Sequence, residues 1–344
     1  MLPRGFSQGA AIGPYRLLRQ LGEGGMGQVW AAKRNDEEIH ALKLLIGEGF
    51  TSEKALMFND EARAASALQH DSIVPTVDFG CDGSIHWLAM RMVHGASLQD
   101  EIEILRPMRR PLAPLVVSYL GVRIASALHY AHVSAALDGR RLKLVHRDVS
   151  PHNVLLDREG HVYLTDFGVA RTTVQVHSTT AGTVRGKPSY MAPEQVTGKA
   201  VDHRTDVFAL GTVLYEAAST YRLFDGKRPA DKMKAVLVVK PRPLNQIVPN
   251  FPVPLWKVLE QALAKDPDAR WSTSAQLHQK LISYVHTNGG LERARQLLAS
   301  VVNRFYPEVT EKAAGFVQTG DNEATHRELK DPTITMPRIL RDVR

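Results

Sequence analysis

A single cysteine, Cys81, stands in 344 residues. That excludes an intrachain disulfide and a cysteine-rich metal cluster, and it fits a reducing compartment. Long apolar runs are missing too. No stretch reaches the roughly 18 uninterrupted apolar residues of a membrane helix. The N-terminal segment MLPRGFSQGAAIGPY holds no apolar core long enough for a signal peptide. These absences give the expectation of a cytoplasmic chain without a membrane span. A basic stripe is also lacking. Lys and Arg outnumber Asp and Glu by 43 to 36, for a net charge of +7, yet the longest basic runs are pairs such as Arg109-Arg110 and Arg140-Arg141. Charge this scattered reads as a solvated surface and not as a nucleic-acid footprint. No internal repeat is visible.

What is present is an ordinary globular composition, long enough for one large or two modest domains. The first part reads as a small sheet with one helix. Strands are expected at Tyr15–Leu18, Gln28–Ala31, His40–Leu45, Ile73–Phe79 and His86–Met92, with a helix from about Ser52 to Leu68, where Leu56, Ala64 and Leu68 fall at helical spacing. After Gly95 the pattern changes. Tyr119 to His132 reads as a strong helix, Ser134 to Lys143 as a loop, and Val154–Leu156 and Val162–Thr165 as short strands. From Asp206 helices dominate, at Val207–Ser219, Leu255–Ala264 and Ser274–His286. One further amphipathic helix is expected over 291–305, followed from Gly320 by a polar tail of disordered character.

Four sequence features carry chemistry. The first is Gly22-Glu23-Gly24-Gly25-Met26-Gly27-Gln28-Val29. A dinucleotide fingerprint belongs between a strand and a helix; this loop lies between two strands. Such a hairpin can bring backbone N–H groups close to phosphates, because glycine has no side chain to intervene. The second is Lys43 in Ala41-Leu42-Lys43, sixteen residues past Gly27, a point cation that can reach the same phosphates. Its acidic partner is expected to be Glu61 on the following helix, with Glu53 as the weaker choice. The third is His146-Arg147-Asp148 with Asn153 five residues on. It offers a carboxylate for a substrate hydroxyl and an amide oxygen for a metal. The fourth, thirteen residues later, is Asp166-Phe167-Gly168, where Asp166 is a hard oxygen ligand suited to Mg²⁺.

In this order and at these gaps, the chain resembles the eukaryotic-type protein kinases, including the bacterial Hanks-type serine/threonine kinases. The resemblance runs from about Tyr15 to His286. It includes Ala192-Pro193-Glu194, Asp206 in Thr205-Asp206-Val207-Phe208-Ala209-Leu210-Gly211, and Arg270 in Asp266-Pro267-Asp268-Ala269-Arg270-Trp271. It implies an α+β, two-lobed protein kinase fold, with a small β-rich N-lobe carrying one helix (15–93) and a larger, mainly helical C-lobe (94–286). An N-terminal extension (1–14) and a C-terminal extension (287–344) flank the domain. The C-terminal extension is the candidate for docking a regulatory partner.

The resemblance also implies roles. Gly22, Gly24 and Gly27 would cover the phosphates of ATP, with Glu23, Gly25 and Met26 also at the nucleotide, and Leu21, Val29 and Ala41 would line the adenine pocket. Met90 would be the gatekeeper, with backbone groups of Arg91 and Met92 bonding adenine. Lys43 and Glu61 would form the activating ion pair, and Asn153 and Asp166 would hold Mg²⁺, with Mn²⁺ as a substitute. Asp148 would accept the proton of a serine or threonine hydroxyl on a protein substrate. Glu194 and Arg270 would form a buried ion pair, and Asp206 would tie its helix to the catalytic loop. The second reading is a pseudokinase scaffold that binds nucleotide without transferring phosphate. The presence of Lys43, Asp148 and Asp166 stands against it.

The pattern departs from the family in two places. His-Arg-Asp-Leu-Lys-Pro-x-Asn is typical, but here the segment reads His146-Arg147-Asp148-Val149-Ser150-Pro151-His152-Asn153. Serine replaces the lysine that would contact the phosphoryl group. Conversely, Lys187 follows Gly186 where the family has Gly-Thr. Either Lys187 restores the lost cation beside Asp148, or it points to solvent and Ser150 simply weakens catalysis. Another alignment puts Gly182-Thr183 in the Gly-Thr place. The second departure is the insertion Ser134–Lys143, which reads as a tolerated surface loop. The loop from Asp166 to Glu194 carries Thr172, Thr173, Ser178, Thr179, Thr180 and Thr183. Autophosphorylation within 172–183 is expected, with Arg147 answering the phosphate. His152, where some Arg-directed kinases carry Glu, argues against a preference for basic substrates.

Overall fold

The computed structural model describes residues 6–24, 27–35, 38–45, 52–137, 139–167 and 187–305, the side chains of 24, 52–57 and 61 excepted. Gly25, Met26, the Glu61 side chain, the Thr172–Thr183 phosphosites, Gly186 and the tail after 305 therefore lie outside the described residues.

The N-terminal part is an antiparallel sheet of β1 (Ala11–Ile12), β2 (Tyr15–Gly24), β3 (Gly27–Arg34), β4 (Ile39–Leu45), β5 (Thr76–Asp82) and β6 (Ile85–Arg91), in the order β1-β2-β3-β4-β6-β5. Helix α1 (Ser52–Ser66) packs beside it. Strand alternation decides what faces where. Leu42 and Leu44 join Tyr15, Leu17, Trp30 and Trp87 in one buried cluster. Ala41 and Leu45 pack with Phe58, Ala62, Leu88 and Met90 in another. Lys43 shares the latter face. The β2–β3 hairpin closes tightly at Gly27. Its φ is +137°, and a Cβ there would lie 1.8 Å from the Leu44 carbonyl oxygen, so only glycine fits.

A second sheet, ordered β11-β10-β7, lies at the junction of the two parts and is formed by β7 (Gly95–Ser97), β10 (Val154–Asp157) and β11 (Val162–Leu164). Between β7 and β10 come α2 (Leu98–Leu105), α3 (Pro114–His129) and a hairpin, β8 (Ala136–Leu137) with β9 (Arg140–Arg141). The remainder is helical: α4 (Pro193–Val196), α5 (Arg204–Ser219), α6 (Pro229–Val238), α7 (Leu244–Ile247), α8 (Val253–Ala262), α9 (Ser274–Thr287) and α10 (Gly290–Phe305). Helix α3 runs through the centre of this half, with Leu120, Ile124 and Leu128 fully buried among residues of α5 and α9.

Several details differ from the sequence expectation. The long helix starts at Pro114, five residues early, and ends in a wider turn, Tyr130–Ser134. The Ser134–Lys143 loop holds the β8–β9 hairpin. The strand expected at Ile73 starts at Thr76. Pro75 has no N–H for a ladder, and the residues before it pair instead with β11: Val74 N–H donates to Leu164 O (3.0 Å) and Leu164 N–H to Ser72 O (2.9 Å). Helices α2, α4, α6 and α7 are additional. The first is announced by a reciprocal cap, in which Asp100 N–H donates to Ser97 Oγ and Ser97 N–H to Asp100 Oδ2.

Candidate active site

The cleft side of β4 presents Lys43, which is 8% exposed. Its ammonium lies 2.6 Å from Asp166 Oδ1. Asp166 follows β11, whose position is fixed by the Ser72 and Val74 bonds, and it takes a left-handed φ of +65°. A non-glycine residue holds that conformation only where its surroundings enforce it. The next residue supplies one restraint: the Phe167 ring is buried edge-on against His146, with centroids 4.6 Å apart. Burial pushes the Asp166 carboxyl up, but the Lys43 charge and hydrogen bond outweigh it and hold the group below the usual carboxylate range.

His146 ties this loop to the catalytic loop. Its Nε2 lies 2.9 Å from the Thr165 carbonyl, which can only accept, so Nε2 carries the proton. Nδ1 is left to accept from Asp148 N–H at 3.3 Å. The loop is also anchored from below. Fully buried Asp206 at the start of α5 accepts the backbone N–H of His146 and of Arg147, each at 2.8 Å, and faces His132 Nε2 at 2.8 Å. The wide turn after α3 places that histidine. Asp206 thus has the tying role expected of it, and Arg147, at φ +66°, is the second strained residue of the site.

Asn153 turns its amide nitrogen to Asp148, donating to the backbone carbonyl (2.8 Å) and to Oδ2 (3.0 Å). That fixes the Asp148 carboxylate in one orientation. Lys187 approaches from just before the Pro188–Tyr190 turn. Its ammonium donates to Ser150 Oγ (3.0 Å) and to Asn153 Oδ1 (3.3 Å). Burial pulls the Lys187 ammonium down, while the carboxylates of Asp148 and Asp166 oppose the fall.

The expected Glu194–Arg270 pair is formed. Arg270 donates to Glu194 Oε1 (2.7 Å) and Oε2 (2.8 Å), and its remaining N–H groups reach the carbonyls of Ala264, Lys265 and Arg204. Thr205 Oγ1 adds a bond to Glu194 at 2.7 Å. Burial pushes the Glu194 carboxyl up, yet Arg270 and Thr205 together hold it below its ordinary value.

Sequence reasoning missed three features. Leu155, two residues after Asn153, packs against the same buried cluster, with Met90 and Tyr163, that Ala41 and Val93 pack against, so it belongs to the apolar wall of the cleft. Tyr190 donates to Glu216 (2.6 Å), which also accepts from Arg106 (2.6 Å); nothing local in the sequence marks that triad. Gln195 Nε2 donates to the Arg147 carbonyl at 3.0 Å, joining the Ala192-Pro193-Glu194 segment to the catalytic loop. One expected nucleotide contact is narrowed: Arg91 N–H is already donated to the Pro75 carbonyl (3.0 Å) and is not available to adenine.

Comparison with known families matches residues 15–282 to the family described as Protein kinase domain. The chain is 33% identical over 294 residues to the tyrosine-protein kinase MasK of Myxococcus xanthus, covering 80% of this chain and 44% of that protein. It is 34% identical over 274 residues to the serine/threonine-protein kinase PknE of Mycobacterium tuberculosis, covering 78% of this chain and 46% of that protein. The chain therefore spans less than half the length of these relatives. Among solved structures, a cysteine-to-alanine mutant of the PknI kinase domain of Mycobacterium tuberculosis superposes with a TM-score of 0.64 at 26% identity, covering 83% of this chain and all of that one. With Lys43, Asp148 and Asp166 and the buried Glu194–Arg270 pair in place, the chain belongs to the protein kinase family.

Proposed function

We propose that this chain transfers the γ-phosphoryl group of ATP to serine and threonine hydroxyls of proteins. One observation carries the reading. Lys43–Asp166 and Asp148–Asn153, drawn from three separate stretches of sequence, converge in one cleft at 2.6 and 3.0 Å. The relatives' names support the hydroxyl class, PknE in particular; MasK, named a tyrosine kinase, makes that class worth measuring directly.

Asp166 and Asn153 offer a carboxylate and an amide oxygen, hard donors that suit Mg²⁺. When bound, the ion would neutralise phosphate charge. The chain's own residues do the rest. Gly22, Glu23, Gly24 and Gly27 approach the phosphates through backbone N–H groups, and Gly25 and Met26 belong to the same stretch of sequence. Leu21, Val29, Ala41 and Leu155 hold the purine, and the carbonyl of Arg91 with the backbone of Met92 orients it. Lys43 holds the α- and β-phosphates, and Glu61 is the residue proposed to pair with Lys43. Asp148 orients the substrate hydroxyl and takes its proton. The hydroxyl oxygen bonds to the γ-phosphorus, the bond to the β,γ-bridging oxygen breaks, and its electron pair leaves with ADP. Most of the acceleration comes from positioning and charge.

Regulation is proposed through phosphorylation within 172–183. Among the described residues, Arg147 Nε is buried with no hydrogen-bond partner, which leaves a cation available to a phosphate. Residues 287–344 are proposed to dock a regulatory partner.

The test is incubation with γ-labelled ATP, alone and with a generic basic protein, followed by acid hydrolysis. Phosphoserine and phosphothreonine are expected. Phosphotyrosine alone would overturn the hydroxyl class, and no label at all would favour the scaffold reading.

A further inference from the structure

Two departures from the family sequence meet in space. Position 150 carries a serine where the catalytic loop normally supplies a lysine, and position 187 carries a lysine where the activation segment normally supplies a threonine. The structure shows the two side chains bonded to each other, Lys187 Nζ to Ser150 Oγ at 3.0 Å. Ser150 is fully buried and Lys187 half-buried, so this is not a surface contact. The solvent-pointing reading of Lys187 is therefore set aside.

Resting on the phosphotransferase reading above, we propose that Lys187 is a catalytic residue. It supplies from the activation segment the cation that holds the transferring phosphoryl group, and Ser150 is its positioning residue. Three features support this. First, the ammonium lies beside the proton acceptor's own support: Asn153 binds Asp148 through Nδ2 and faces Lys187 through Oδ1 at 3.3 Å. Second, Ser150 is too short to reach a phosphate, but its hydroxyl can accept from Lys187 and fix the ammonium in place. Third, Lys187 precedes the turn Pro188–Tyr190, and that turn is itself fastened to the fold by the Tyr190–Glu216 bond at 2.6 Å. The ammonium thus rests on a rigid base.

The consequence is a coupling that a loop-borne lysine does not give. In this chain the cation needed as the γ-phosphoryl leaves ADP is carried by the C-terminal end of the segment that also receives the peptide. Charge and substrate platform arrive together. The step itself is unchanged: the hydroxyl oxygen bonds to phosphorus, its proton goes to Asp148, and the bridging oxygen keeps the bond electrons.

The experiment is a swap cycle on the full chain, read by initial rates, calorimetric ATP affinity and melting temperature. Lys187→Met keeps the apolar stem and removes the charge. It is expected to lower kcat by about 100-fold or more, with the Michaelis constant for ATP changed by less than about threefold. Ser150→Lys/Lys187→Thr restores the family arrangement and is expected to recover most of that loss. Lys187→Arg, which keeps the charge but alters its geometry, should fall between. The proposal is overturned if Lys187→Met turns over like the wild type, if only ATP affinity changes, or if the folded double variant is no faster than Lys187→Met. A wild type that transfers no phosphate overturns the broader functional reading as well. An active wild type with an indifferent Lys187→Met variant overturns only this inference.

Discussion

The two walls of the cleft solve the same electrostatic problem differently. On the nucleotide wall, the cation is Lys43, set in the middle of β4 and paired with Asp166. A strand with neighbours on both sides gives it a fixed base. On the transfer wall, the cation sits on Lys187, just outside a short turn, and the catalytic loop meets it with the Ser150 hydroxyl and the Asn153 amide oxygen. On the proposed reading of Lys187, the site calls for a charge at a place, not a residue type at a position. Where the backbone of two segments runs close, the charge can move from one to the other.

The largest expected effect breaks the nucleotide wall. Asp166→Ala removes the metal carboxylate and leaves Lys43 without that partner in a buried position. Turnover should fall by about 10³-fold, and calorimetry should show ATP affinity falling with it. That joint loss distinguishes this wall from the other, where Lys187→Met is expected to spare affinity.

Next comes the scaffold below both walls. Arg270→Met leaves Glu194 buried without its guanidinium, a break that costs about 3–5 kcal/mol. A thermal melt should show a large fall, with ATP binding and transfer lost together above the new midpoint. Separate loss of one activity would break the claim that the walls share this support.

A smaller effect tests the helix behind β10 and β11. Ala294, Leu298 and Val302 of α10 are fully buried, Asn303 Nδ2 donates to the Arg158 carbonyl at 2.8 Å, and Gly160 approaches the Arg295 carbonyl so closely that a Cβ would lie 2.2 Å away. Leu298→Ala should cost about 2–5 kcal/mol. Hydrogen exchange should rise first at β10 and β11, the strands flanked by Asn153 and Asp166, before it rises near Lys187.

The smallest effect is a pH dependence away from the cleft. Glu101 in α2 is fully buried, and neither carboxyl oxygen has a hydrogen-bond partner among the described residues. Burial, with the Asp100 charge adding to it, pushes its carboxyl up to about 8. The folded chain then holds a proton that the unfolded chain releases near the ordinary glutamate value. Stability should therefore fall as pH rises from about 4.5 to about 8, by a few kcal/mol at most. Glu101→Gln should flatten that slope in melts between pH 5 and 8.5. An unchanged slope would remove Glu101 as its source.

How much of this was legible in the sequence follows from the same physics. Lys43, Asp148, Asn153 and Asp166 stand out because their chemistry fixes both residue type and order. The fold around them was readable where periodicity was strong, as in α3 and β4. It was not readable at β8 and β9, two residues each, or at the start of β5, where long-range bonds from β11 decide the path. Helix α2 had a capping signal, Ser97-x-x-Asp100, that could have been used. The Tyr190–Glu216–Arg106 triad and the Lys187–Ser150 bond join residues 26 to 110 positions apart, so only the fold could bring them together.

The most direct test of the account compares ATP binding with γ-phosphoryl transfer in the wild type and in Asp148→Asn. The amide keeps the size of the carboxylate but cannot take the hydroxyl proton. Both proteins should bind ATP with the same affinity and melt alike, while transfer by the variant should fall by about 10²–10⁴-fold. A variant that transfers at the wild-type rate, or a wild type that binds ATP and transfers nothing, would contradict it.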